Sequence, residues 1–130
     1  MKYSEISEIF EQAAVHFPEC SDKVDSKPWY SPPGWKGVFL KDLITGKDTD
    51  GKFSYHLVRI QDHCEVPNHS HETQWEWNAI LSGEGTFLLE QKIIPARIGE
   101  IFTTPPGKHH TVKAGNKDLA LMAVFVPALV

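Results

Sequence analysis

From Trp35 onward the chain is a succession of short runs rich in β-branched and aromatic residues, each cut off by a glycine- or proline-bearing turn. The runs cover residues 35–40, 53–60, 75–81, 85–90, 100–103, 111–112 and 119–126, and the turns fall at 45–47, 49–51, 82–85, 105–107 and 114–116. Glycine supplies positive φ in such turns and proline presets φ, so each turn has a local cause. Many short strands with frequent turns predict an all-β sandwich, barrel or jelly roll. A βαβ crossover would need helices between the strands, and no such helical run lies there.

One helix is expected ahead of the strands. Tyr3, Ile6, Ile9, Phe10, Ala13, Ala14 and Phe17 recur at three- and four-residue intervals, the spacing of an apolar stripe on a helix, and Pro18 ends it. Residues 19–33 are polar and carry Pro28, Pro32 and Pro33, which predicts an extended surface connection. The expected organisation is a helix and linker over residues 1–34 and a β-barrel over 35–130. A chain of 130 residues suits one domain with one core.

Composition narrows the partners. Thirteen Lys plus Arg against seventeen Asp plus Glu give a net charge of -4, the wrong sign for a non-specific binder of nucleic acid or anionic membrane. A small-molecule partner is the expectation. Residues 1–10 carry Glu5 and Glu8 without a basic or continuous apolar segment, so no secretory signal is read. The apolar stretch at 119–130, broken by Pro127, is too short to span a bilayer and reads as a buried last strand. Cys20 and Cys64 form no Cys-x-x-Cys pair and imply no disulfide framework, which with the other signs points to the cytoplasm.

Chemistry concentrates in histidines. Five of the seven, His63, His69, His71, His109 and His110, fall in two short windows. In an extended segment His69 and His71 share a face about 7 Å apart, close enough to address one ion. Glu76 follows His71 at an odd offset, so a turn or bulge around residues 72–74 must reset the alternation for Glu76 to join them. In the second window His110 and Val112 share one face while His109 and Thr111 share the other, so only one of the two adjacent histidines points inward.

These residues resemble the two signature motifs of the cupin superfamily. The first, G-x5-H-x-H-x3-4-E-x6-G, is met by His69, His71, Glu76 and Gly83; the second, G-x5-P-x-G-x2-H-x3-N, by Gly99, Pro105, Gly107 and His110. The chain departs at two places: His63 stands where the first motif opens on Gly, and Ala114 where the second closes on Asn. The resemblance implies a small jelly-roll β-barrel and a single divalent metal held by His69, His71, Glu76 and His110. Three imidazoles and one carboxylate leave open positions and suit Fe, Mn, Ni, Co or Zn.

Other residues carry weaker expectations. Asn78 shares the face of Glu76 and is expected to orient substrate, with Trp75 and Trp77 on the opposite face as packing or interface residues. On the run at 53–60, His56 and Arg59 lie on opposite faces, so at most one of them can face the cavity, His56 as a candidate base or Arg59 as a carboxylate-binding group. Gln74 is placed beside the mouth of the site as a further substrate contact, and Glu76 itself is a second candidate base. His63 is read as a turn residue and His109 as an exposed or turn-stabilising one. The functions weighed are a metal-dependent enzyme acting on a small oxygen-rich substrate, by dioxygenase, isomerase, decarboxylase or lyase chemistry; a non-catalytic small-molecule or sugar-binding module; and a purely structural metal site. The unbroken apolar run at 119–126 predicts a strand covered on both faces, by the core on one side and a second subunit on the other, hence a homodimer.

Overall fold

The computed structural model describes residues 3–130. Met1 and Lys2, part of the segment read for a signal, lie outside them. The chain runs α1 (Tyr3–Gln12), β1 (Ala14–His16), β2 (Ser21–Lys23), a 3-10 turn (Val24–Ser26), β3 (Val38–Ile44), a one-turn helix α2 (Gly46–Thr49), β4 (Ser54–Ile60), β5 (Glu65–His69), β6 (Trp75–Ser82), β7 (Gly85–Leu89), β8 (Lys92–Ala96), β9 (Ile101–Thr104), β10 (His110–Ala114) and β11 (Leu119–Val126). The last nine strands build two antiparallel sheets, of order β3-β4-β11-β6-β9 and β5-β10-β7-β8. Packed face to face they form the expected jelly roll.

Between the sheets lies one core, in which Val38, Ile60, Phe87, Leu119 and Leu121 are almost fully buried. Burying each such side chain contributes about 1.5–3 kcal/mol. Phe87 stacks on Phe102 with ring centroids 4.2 Å apart and planes nearly parallel, pinning the four-stranded sheet to β9 of the other.

Three local expectations change. The helix stops at Gln12, and Ala14–His16 pairs instead with Ser21–Lys23 as a hairpin of its own. Phe17-Pro18 sits in the turn of that hairpin, where the Phe17 N–H donates to the Cys20 carbonyl. The segment expected as an extended surface connection is therefore partly structured, and Val24 is buried with Leu43, Leu57 and Leu81 in a second small core under α1. Ile6 and Phe10 pack on that cluster while Ile9 faces solvent. β5 and β8 lie outside the expected runs: Pro67 and Pro95 interrupt each, and both strands flank the smaller sheet.

β11 is the central strand of the larger sheet, and one face meets the core as expected. Over part of the other face the cover is the chain's own α1 and 3-10 turn, with Met122 packed against that cluster. The Val126 end remains exposed, beside Trp75 and Trp77.

Candidate metal centre

The site forms where the chain leaves one sheet for the other. β5 ends at His69, residues 70–74 cross, and β6 begins at Trp75 in the opposite sheet, so the required reset of alternation is a change of sheet. His69 and His110 are cross-strand partners in the smaller sheet, their rings 4.2 Å apart. Glu76 faces them from β6, and His71 reaches in from the crossing segment. A backbone bond from the Gly107 N–H to the His71 carbonyl, 2.8 Å, ties that segment to the Pro-Pro-Gly turn that delivers His110.

One potential ligand atom from each of His69, His71, Glu76 and His110 lies within 4.8 Å of all the others. His71 Nε2 and His110 Nε2 each stand 3.1 Å from Glu76 Oε1. These approaches are too poorly aligned for hydrogen bonds, and all three atoms are buried without a partner. Buried polar atoms are rarely left so, and a convergent set of orphans calls for a shared guest. Neighbouring ligands on an ion about 2.1 Å from each would stand about 3 Å apart, which fits.

The imidazoles are held from behind. His69 Nδ1 meets the Pro67 carbonyl at 2.7 Å and His110 Nδ1 the Lys108 carbonyl at 3.4 Å, leaving the Nε2 lone pairs facing the centre, as a metal ligand requires. Trp35 packs on His69 and Phe125 on His71, with ring centroids 5.2 and 5.1 Å apart. Burial holds the His69 pKa below its ordinary value, with the neighbouring rings of His110 and His71 adding to the effect, so the ring stays neutral. Burial alone would raise the Glu76 carboxyl, but the facing His110 and His71 outweigh it and bring it from 4.5 down to about 2. One carboxylate and three imidazoles make a donor set for a divalent transition metal.

The centre opens into a cavity of about 350 Å³ between the sheets. Asn78, on the same face of β6 as Glu76, lines it, and its Nδ2 is buried without a hydrogen-bond partner. Most other walls are hydrocarbon. Tyr30 from the N-terminal segment and Leu129 from the C-terminal tail also line it, and no pattern in the runs around them signalled that role.

The remaining sequence candidates lie elsewhere. His56 is the inward group of the pair on β4, but it is fully buried behind the cavity wall and does not line the cavity. Its Nδ1 is 2.8 Å from Asp42 Oδ1 and its Nε2 2.8 Å from Ser54 Oγ, so both nitrogens are committed. Arg59 points to the outer face, where it donates to Glu11 Oε2 at 3.0 Å and lies over Trp29; it does not line the cavity. The β4 alternation permits only one of the two inside, and the buried face took the imidazole. Gln74 stands off the cavity, its Nε2 3.5 Å from the Ala128 carbonyl. His109 is exposed, held through its backbone by Glu90.

Comparison with known proteins follows the same lines. The family model for the cupin domain matches residues 56–126. An oxalate-binding protein from Thermotoga maritima is 37% identical over 70 residues, which span 53% of this chain and 58% of the relative. The chain thus matches little more than half the length of that relative. Among solved structures, a protein described as a predicted oxalate decarboxylase from Thermotoga maritima superposes with a TM-score of 0.73 at 25% identity, covering 79% of this chain and 95% of the other. An RmlC-like cupin from Shewanella frigidimarina gives a TM-score of 0.72 at 18% identity, covering 91% and 96%, a likeness of fold.

Proposed function

Because the chain belongs to the cupin domain family, we propose that it is a metal-dependent enzyme acting on a small oxygen-rich substrate, with one divalent Fe, Mn, Ni, Co or Zn ion held by His69, His71, Glu76 and His110. The observation that carries this reading is the trio of buried atoms His71 Nε2, Glu76 Oε1 and His110 Nε2, which converge and lack any other partner. When bound, such an ion supplies Lewis-acid polarisation of a substrate oxygen or a site for dioxygen chemistry.

The chain's own residues then do the rest. His69 and His110 fix one side of the centre through their backbone-anchored rings, and His71 and Glu76 close the other. Asn78 offers its unpartnered amide N–H groups to an acceptor oxygen of the substrate and orients it. The apolar walls exclude water and strengthen each polar contact inside. A Thermotoga maritima relative named for oxalate binding supports a small-molecule ligand.

A second reading, a non-catalytic binder of small molecules, is favoured by one observation: His56, the nearest candidate base outside the centre, has both nitrogens engaged. We also propose a homodimer formed through the outer face of the larger sheet, where Trp75, Trp77, Ile101 and Val126 leave an exposed apolar strip across β6, β9 and β11.

Chelator-treated protein titrated with each metal tests the centre. A ligand bound only by the folded state raises the melting temperature with concentration. Wild type is expected to gain at least several degrees with one or more of these ions, and Glu76→Gln and His110→Ala to gain little. Equal shifts in all three proteins would place binding elsewhere.

A further inference from the structure

We propose that the cavity selects a monoanionic oxygen chelator carrying an apolar body, such as a 2-oxo monocarboxylate with an alkyl or aryl substituent, over a compact dianion. The inference rests on the metal reading above and concerns what sits beside the ion.

Charge sets the head group. A divalent ion with three neutral imidazoles and the Glu76 carboxylate leaves a single net positive charge. Among the described residues no lysine or arginine lines the cavity. The cations packed near its outer walls are engaged away from it: Lys41 donates to the Val24 carbonyl at 3.0 Å, and Arg59 pairs with Glu11. Of the other acidic groups nearby, Asp42 turns to His56 and Tyr30, and the Val130 main-chain oxygen accepts from the Gly46 N–H at 2.6 Å. A monoanion therefore neutralises the centre, whereas a dianion leaves an uncompensated negative charge against hydrocarbon, which is costly.

Shape sets the body. The cavity, about 350 Å³, holds roughly a dozen waters' volume. Beyond the centre its walls are side chains such as Leu40, Val58, Val66, Leu121, Phe125 and Leu129, which offer contact only to apolar groups. Oxalate has nothing to place against them. Asn78 supplies the one free polar contact, a donor suited to the carboxylate oxygen of the head group. One donor and one positive centre match a head group with two or three oxygens and one charge.

The test uses protein loaded with Zn²⁺ or Co²⁺, with metal content measured on the same samples. Pyruvate, 2-oxobutanoate, 2-oxohexanoate, 2-oxo-4-phenylbutanoate and oxalate are titrated by calorimetry and by tryptophan fluorescence, since Trp35 lines the cavity. Affinity should rise about threefold to fourfold per added CH₂ along the alkyl series. The phenyl acid should bind at least tenfold more tightly than oxalate, and Trp35→Phe should remove most of the fluorescence change without altering that order. Leu121→Lys, which adds a cation to the wall, should reverse the preference; if it does not fold, the alkyl series in wild type decides alone. Metal-loaded protein that prefers oxalate, or shows no dependence on chain length, overturns the inference and leaves the metal centre standing. Protein that takes up no metal overturns both.

Discussion

At the scale of single residues, what matters is which polar atoms lack partners. The centre's atoms await one, whereas His56 has all it needs: Asp42 on one nitrogen and Ser54 on the other, with no exposed surface. His56→Ala leaves the Asp42 contact unmet and opens a cavity, so it should cost about 2–4 kcal/mol in denaturant unfolding. Burial holds the His56 pKa below 6.5, against the opposing pull of Asp42 and Glu76. The unfolded chain then takes up a proton before the folded one does. Stability should be full above the ordinary value of 6.5 and fall as pH drops below it, and His56→Gln should flatten that part of the profile. An unchanged slope in the variant would show that the proton goes elsewhere. His63 explains one departure from the family motif: it stands at φ 60, a left-handed position where Gly is at ease and other residues pay about 1 kcal/mol. Gly83, which keeps the motif's residue, has φ +81, and a Cβ there would come 2.1 Å from the Asp118 carbonyl oxygen.

At the scale of elements, the walls of the cavity are held by a chain of hydrogen bonds crossing four segments. The Tyr30 hydroxyl donates to Asp42 Oδ1 at 2.6 Å, Asp42 holds His56, His56 meets Ser54, and the Leu129 N–H donates to Ser54 Oγ at 2.9 Å. Both ends of the chain, Tyr30 and Leu129, line the cavity. Ser54→Ala removes the acceptor for Leu129 and should accelerate hydrogen exchange at that amide while exchange in β11 stays slow. Equal protection in variant and wild type would mean the tail is held by packing alone. The paired strands of the larger sheet were legible because their alternation and their turns agree. β5, β8 and the hairpin of β1 and β2 were not. Their runs are short and proline interrupts two of them; β1 with β2 and β8 with β7 are local hairpins too short to show alternation, while β5 becomes a strand by pairing with the distant β10. The apolar stripe of α1 extends five residues beyond its end at Gln12 because Ala14 and Phe17 fit both a helix face and a hairpin.

At the scale of the whole molecule, the spacing of two motifs carried further than periodicity. His69, His71, Glu76 and His110 were named from the family resemblance, and the structure brings their ligand atoms together across two sheets. What lines the cavity beside them was hardly legible, since Tyr30, Phe125 and Leu129 converge only once the sheets have closed. The outer strip of Trp75, Trp77, Ile101 and Val126 predicts self-association: light scattering at micromolar concentration should give twice the 14.7 kDa chain mass, and a mass near 14.7 kDa would contradict the dimer. No helix among the described residues is long and apolar enough to cross a membrane. The central claim is the metal centre, and elemental analysis of protein purified without chelator or affinity metal addresses it most directly, beside a His69→Ala, His110→Ala double variant that keeps its circular dichroism. Near-stoichiometric Fe, Mn, Ni, Co or Zn in the wild type and its loss in the folded variant is the predicted result. A wild type that carries none of these metals and takes up none on reconstitution would contradict it.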